Sequence, residues 1–85
     1  MSAAPPAGWT LQDKALTKTF RFKTFADAIA FMVKVSLHCE RTDHHPEWTN
    51  VYNRVDVRLT THDAGDVTGK DHALARVIDG AAAGA

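Results

Sequence analysis

From residue 16 to residue 22 apolar and polar positions alternate. Leu16, Phe20 and Phe22 fall on one side; Thr17, Thr19 and Arg21 fall on the other. Period two predicts a half-buried antiparallel strand. Lys18 interrupts the apolar side, so one end of that face is expected to be wet. Trp9 to Leu11 predicts a short strand before it. From Thr24 to about Arg41 the period becomes helical. Thr24 is the expected N-cap, with Asp27 three residues on, and Phe25, Ala28, Ile29, Met32, Ser36 and Cys39 form one stripe. Phe31, Val35 and Leu37 widen the apolar surface beyond that stripe. Such a helix is expected to meet a sheet on one side and a partner subunit on the other.

The helical pattern stops at His44-His45-Pro46. Proline disfavours helical geometry in the residue before it, so this segment is expected to be extended. Trp48 to Tyr52 reads as a strand, followed by a tight turn at Asn53-Arg54. Next, Val55, Val57, Leu59 and Thr61 face one way, and Asp56, Arg58, Thr60 and His62 the other. After a turn over Asp63 to Asp66, Thr68 opens a second helix. Asp71 stands at its third position, and Leu74, Val77 and Ile78 share one face. Strands this closely spaced pair as antiparallel hairpins. The expected class is α+β: a four-stranded antiparallel sheet with two helices packed on one face, in the order ββαββα. Residues 1–8, rich in Ala and Pro, are expected to be a disordered leader, residues 9–79 the domain, and residues 80–85 a flexible tail.

Length and composition narrow the function. The chain has 85 residues, of which 45% are hydrophobic and 24% charged, as in an ordinary soluble domain. A core of this size is small, and self-association is a natural way to add to it. Ten basic residues balance ten acidic ones, so nothing electrostatic favours nucleic acid or an anionic membrane. The longest apolar run, Ala28 to Val33, is far too short to span a bilayer. No basic start and apolar core mark a signal peptide. The single cysteine, Cys39, excludes an internal disulfide and suits a reducing compartment, with the cytoplasm as the expected location.

The candidate chemistry lies in Glu40, His44, His45, His62 and Asp71. The His-His-Pro segment leads into one strand and His62 leaves the next, so neighbouring strands would bring the imidazoles together. Imidazole exchanges protons near neutral pH, and Glu40 and Asp71 are available to fix its orientation. Each also has an ordinary reading: Glu40 as a solvated helix end, Asp71 as a carboxylate favouring a helix N-terminus. His38 and His72 read as surface residues, Trp48 as core, and Cys39 as an inert buried thiol. Adjacent histidines in an extended segment point to opposite sides, which suits one tetrahedral metal poorly, so no metal is expected.

The run Glu40-Arg41-Thr42-Asp43-His44-His45-Pro46-Glu47-Trp48, then Asn50-Val51-Tyr52-Asn53, Leu59-Thr60-Thr61-His62-Asp63 and Asp71, resembles the pterin-4a-carbinolamine dehydratase family. The resemblance extends from Trp9 to about Asp79. It implies elimination of water from 4a-hydroxytetrahydrobiopterin-type pterins to a quinonoid dihydropterin, a step that recycles the cofactor of aromatic amino-acid hydroxylases. It implies that His44, His45 and His62 are acid, base and substrate-binding group, with Glu40 and Asp71 in support. Of these, His44 and His62 are expected to exchange protons with the leaving oxygen while His45 positions the ring. Asp43 and the stretch Thr60, Thr61, His62 and Asp63 are implied to line the pterin. No cofactor is implied, and a homodimer or homotetramer is. Two alternatives stand beside this: a non-catalytic coactivator module of the same fold, and a dehydratase for another pterin, such as one related to molybdenum cofactor. The family usually carries a helix before the first strand, and only the Pro/Ala segment stands there in this sequence.

Overall fold

The computed structural model describes residues 4–84. Strands β1 (Thr10–Gln12) and β2 (Ala15–Arg21) are followed by helix α1 (Phe25–Thr42). Strands β3 (Glu47–Val51) and β4 (Arg54–Leu59) and helix α2 (Gly69–Ala83) complete the chain. The sheet order is β1-β2-β4-β3, and every neighbouring pair is antiparallel. Both helices contribute to the core on one face of this sheet, as the ββαββα reading expects.

Alternation decides which strand residues are buried. On β2, Leu16 and Phe20 enter the core; on β4, Val55, Val57 and Leu59 do. Lys18 shares the core face of β2, and its charge is met there. Its Nζ donates to Asp79 Oδ1 of α2 at 2.8 Å, and Trp9 Nε1–H donates to the same carboxylate at 3.0 Å. The wet end is therefore a half-exposed ion pair beside an aromatic edge, and it ties β2 and the segment before β1 to the last turns of α2.

On α1 the buried row is Ala28, Phe31, Val35 and Cys39. The expected stripe was rotated too far round the helix: Phe25 and Ile29 are 49% and 37% exposed. The reason lies in the sheet. Phe31 stacks between Phe20 and Phe22, with ring centroids 5.2 and 4.8 Å away, and that anchor decides which side of the helix faces inward. Phe25, Ile29, Val33 and Leu37, each four residues apart, form an exposed apolar row.

Both hairpins turn on two residues. Gln12 pairs with Ala15 around Asp13 and Lys14, which have φ of 50° and 61°. These left-handed values match the mirror-image turn that suits twisted hairpins. Tertiary contacts hold it: Arg58 Nη2 donates to Asp13 O at 3.3 Å, and Thr60 Oγ1 donates to Lys14 O at 2.9 Å. The β3–β4 turn is Tyr52-Asn53, one residue before the expected Asn53-Arg54. Tyr52 has φ 51°. The Asn50 amide forces this register by donating to Tyr52 O and Arg54 O, both at 3.0 Å.

The expected tail, residues 80–85, is helical over its first four residues. Helix α2 continues through Gly80 to Ala83, because Ala81 packs into the core. The leader reading falls partly on residues 1–3, outside the described residues. Beyond them, Trp9 N–H donates to Pro6 O at 3.0 Å.

Candidate active site

The site is built where α1 ends and α2 begins. Asp43 closes α1 in left-handed geometry, φ 52°, with its N–H turned back to Cys39 O. The chain then leaves the helix through His44, His45 and Pro46, and the proline disfavours helical geometry at His45. On the other side, β4 passes into a bridge between Thr61 and Asp66, and the turn between them needs the positive φ of Gly65. Thr61 carries on the buried face of β4, whereas His62 is exposed.

Asp71 is the centre of the buried polar network and is completely enclosed. Its Oδ2 accepts from Thr68 N–H at 2.9 Å, which completes a capping box for α2, and from Thr61 Oγ1 at 2.7 Å. Its Oδ1 lies 2.6 Å from His44 Nε2. The proton order follows. Thr61 gives its hydroxyl proton to the carboxylate, so in the 2.8 Å contact between the two hydroxyls Thr68 donates to Thr61. A charged Asp71 accepts at Oδ1 as well, which puts the His44 proton on Nε2 and leaves Nδ1 with the lone pair in the neutral ring.

The other two imidazoles are looser. His45 Nε2 is 3.7 Å from Glu40 Oε1, and both side chains are mostly exposed. His62 Nε2 is 3.7 Å from Glu47 Oε2. These separations are within ion-pair reach but too long for hydrogen bonds. A cleft of about 310 Å³ opens among His44, His45 and His62, with Asp43, Thr61 and Asp63 in its wall. Pro46, Glu47 and Lys70 complete it. A larger concavity, about 670 Å³, lies over the open sheet face and holds none of the histidines. Its charged side chains are paired, Lys18 with Asp79, Asp56 with Arg54 and Glu47 with Arg58.

Six residues proposed from the sequence therefore meet: Asp43, His44, His45, Thr61, His62 and Asp63. Asp71 stands behind His44. Glu40 reaches His45 from outside the cleft wall. Thr60 does not line the cleft, since its hydroxyl is spent on the β1–β2 turn. Glu47 and Lys70 were missed. Glu47 was legible only as a neighbour of the His-His-Pro motif, and no local pattern marks Lys70. Among the described residues no group of three or more His, Cys, Asp or Glu side chains is arranged to hold a metal ion. Cys39 is buried in the core, and burial pushes its thiol pKa up, partly opposed by a backbone hydrogen bond.

An α+β domain with an imidazole cleft whose innermost histidine is oriented by a buried carboxylate is an arrangement suited to acid–base chemistry on a small molecule. The comparisons with known proteins are more specific. The chain belongs to the pterin 4 alpha carbinolamine dehydratase family, whose model matches residues 1–81. A Rhizobium etli protein provisionally named as a pterin-4-alpha-carbinolamine dehydratase is 52% identical over 79 residues, covering 91% of this chain and 78% of its own. A Rhodospirillum rubrum protein of the same provisional name is 51% identical over 73 residues, 84% of this chain and 76% of its own. The crystal structure of a transcriptional coactivator/pterin dehydratase from Brucella melitensis superposes with a TM-score of 0.87 at 46% identity, covering 89% of this chain and 83% of that one. A pterin dehydratase-like RuBisCO assembly factor of the α-carboxysome shares the fold, with a TM-score of 0.73 at 23% identity over 87% of this chain and 86% of its own.

Proposed function

We propose that this chain is a dehydratase that removes water from a 4a-hydroxytetrahydropterin by histidine acid–base catalysis. The observation that carries the reading is the 2.6 Å contact of His44 with the enclosed Asp71, at the wall of a cleft that His45 and His62 also line. The reaction needs two proton transfers. The C4a–O bond breaks as the hydroxyl takes a proton and leaves as water. The N5 lone pair forms the new double bond to C4a, and the N5 proton passes to a base. A histidinium supplies the first proton and a neutral imidazole accepts the second.

In this reading His44 exchanges protons through Nδ1, because Nε2 is committed to Asp71. His62, on the facing element, is the second proton-exchanging group, and His45 positions the ring with Glu40 as its partner. Asp43, Thr61 and Asp63 supply polar groups for the donor and acceptor edge of the pterin. The product, a quinonoid dihydropterin, places the enzyme in recycling of the tetrahydropterin cofactor of aromatic amino-acid hydroxylases. No helix of the described residues is long and apolar enough to cross a membrane, and a free buried thiol suits the reducing cytoplasm. The exposed row Phe25, Ile29, Val33 and Leu37 supports self-association through α1 as a dimer or tetramer.

The test follows the decay of chemically generated 4a-hydroxytetrahydropterin with wild-type and His44→Ala protein. The expected result is acceleration by the wild type and its loss in the variant. No acceleration by the wild type would overturn the enzyme reading. It would favour the second one, a coactivator module, which the description of the Brucella melitensis structure supports.

A further inference from the structure

Each cleft imidazole has one carboxylate beside it, and the three pairs differ in how they are held. Asp71 holds His44 by a hydrogen bond, and Glu40 lies exposed beside His45. The third pair has a feature the other two lack. Glu47, beside His62, is itself gripped by Arg58 Nη1, which donates to both of its oxygens at 3.0 and 3.1 Å. Glu47 and Arg58 are cross-strand partners on β3 and β4. Arg58 is in turn tied by Nη2 to Asp13 O of the β1–β2 turn at 3.3 Å. The carboxylate is thus fixed at the cleft rim by a chain of contacts running across the sheet.

His62 has the opposite character. Its side chain is 81% exposed, and the ring makes no hydrogen bond among the described residues. Glu47 Oε2, at 3.7 Å, is its one ion-pair partner there. The other charges facing His62 are Asp63 beside it, Asp43 and the two histidines across the cleft, and Lys70 from α2. None of the acidic ones is held by a guanidinium in the described structure.

We propose that Glu47 is a positioning residue for His62, setting where the imidazole stands at the rim of the cleft, and that Arg58 anchors Glu47 for that role. The proposal rests on the dehydratase reading for its catalytic consequence, but the coupling itself is a property of the three side chains. A merely structural ion pair between β3 and β4, when broken, would lower stability and leave the placing of the ring unchanged, whereas loss of a positioning carboxylate frees the ring and acts on kcat rather than KM.

The test reads the placing of the ring and the kinetics separately, in the full chain, for wild type, Glu47→Gln, Glu47→Asp and Arg58→Gln. NMR cross-peaks between the His62 ring, assigned by the signals lost in His62→Ala, and side-chain protons of β3 are expected in wild type and lost in Glu47→Gln. Glu47→Gln should lower kcat about tenfold with little change in KM, and Glu47→Asp should recover part of it. Arg58→Gln, which leaves the carboxylate unanchored, should lower kcat by less. Both side chains are about half exposed, and if Arg58→Gln does not fold, the Glu47→Gln arm decides alone. Absence of the cross-peaks in wild type, or their persistence in Glu47→Gln, would overturn the proposal. If they behave as expected while His62→Ala keeps full activity, the placing stands and the catalytic reading of His62 fails instead.

Discussion

Asp71 serves its own helix and His44 with opposite oxygens of one carboxylate: Oδ2 accepts the Thr68 N–H at 2.9 Å, and Oδ1 meets His44 Nε2 at 2.6 Å. The cap fixes where the carboxylate stands, and the carboxylate fixes which imidazole nitrogen is free. Asp71→Asn keeps one acceptor but offers His44 an amide in place of a charge. We expect kcat to fall roughly 100-fold, with a stability loss of about 1–3 kcal/mol, read by kinetics and urea unfolding. Thr68→Ala should cost about 1 kcal/mol through the cap and much less activity. Equal losses of activity in the two variants would contradict a direct Asp71–His44 role.

The three histidines should not be equivalent. His44→Ala and His62→Ala are expected to lower kcat by more than about 100-fold, whereas His45→Ala should act chiefly on KM. Steady-state kinetics on the 4a-hydroxytetrahydropterin separates the two. A kcat loss in His45→Ala as large as in His44→Ala would reassign the proton-exchanging pair.

The apolar row on α1 predicts an oligomer. Ile29 and Leu37 lie on that row at 37% and 60% exposure and contribute nothing to the core. Ile29→Glu with Leu37→Glu should therefore leave helix content unchanged while reducing the solution mass to one chain of 9.3 kDa. Light scattering after size exclusion measures this. A wild-type protein already of that mass would remove the argument for self-association through this face.

Burial holds the Cys39 thiol pKa above its ordinary value. A raised pKa means the folded state holds the thiol proton more tightly than the unfolded state. The associated stability is full below the thiol's ordinary value of 9.0 and is lost as pH rises through the folded value. The native protein should react slowly with a thiol reagent at pH 8, and unfolding should abolish that protection. Fast labelling of the folded chain would show the thiol is not enclosed.

The β1–β2 turn places two ordinary side chains, Asp13 and Lys14, in left-handed geometry. Asp13→Asn with Lys14→Gly should relax it and raise stability by roughly 0.5–1 kcal/mol. A lower midpoint in urea would mean that the Lys14 or Asp13 side chain contributes more than its backbone strain costs.

Much of this was legible in the residue pattern, because it depends on neighbours in the chain. Alternation in β2 and β4 assigns Leu16, Phe20, Val55, Val57 and Leu59 to the core whatever lies opposite. Thr24 and Thr68 cap their helices with atoms three residues away or nearer. Proline at 46 ends the helical path by local sterics. The motif around His44 and His45 and the placing of Thr61 and His62 on opposite faces of β4 follow from the same short-range rules.

Tertiary structure decided what depends on distant partners. Helical spacing alone left several rotations of α1 open, and Phe31 seated between Phe20 and Phe22 selected one. Thr60 faces the polar side as alternation requires, yet its hydroxyl goes to Lys14 because the β1–β2 turn lies beside it. Residue order alone places a carboxylate near the start of α2 and histidines after α1 and β4. Only the fold brought Asp71 against His44 and Arg58 against Glu47, since a contact between residues 27 apart in the chain has no signature in local pattern and exists only when the elements between them are packed.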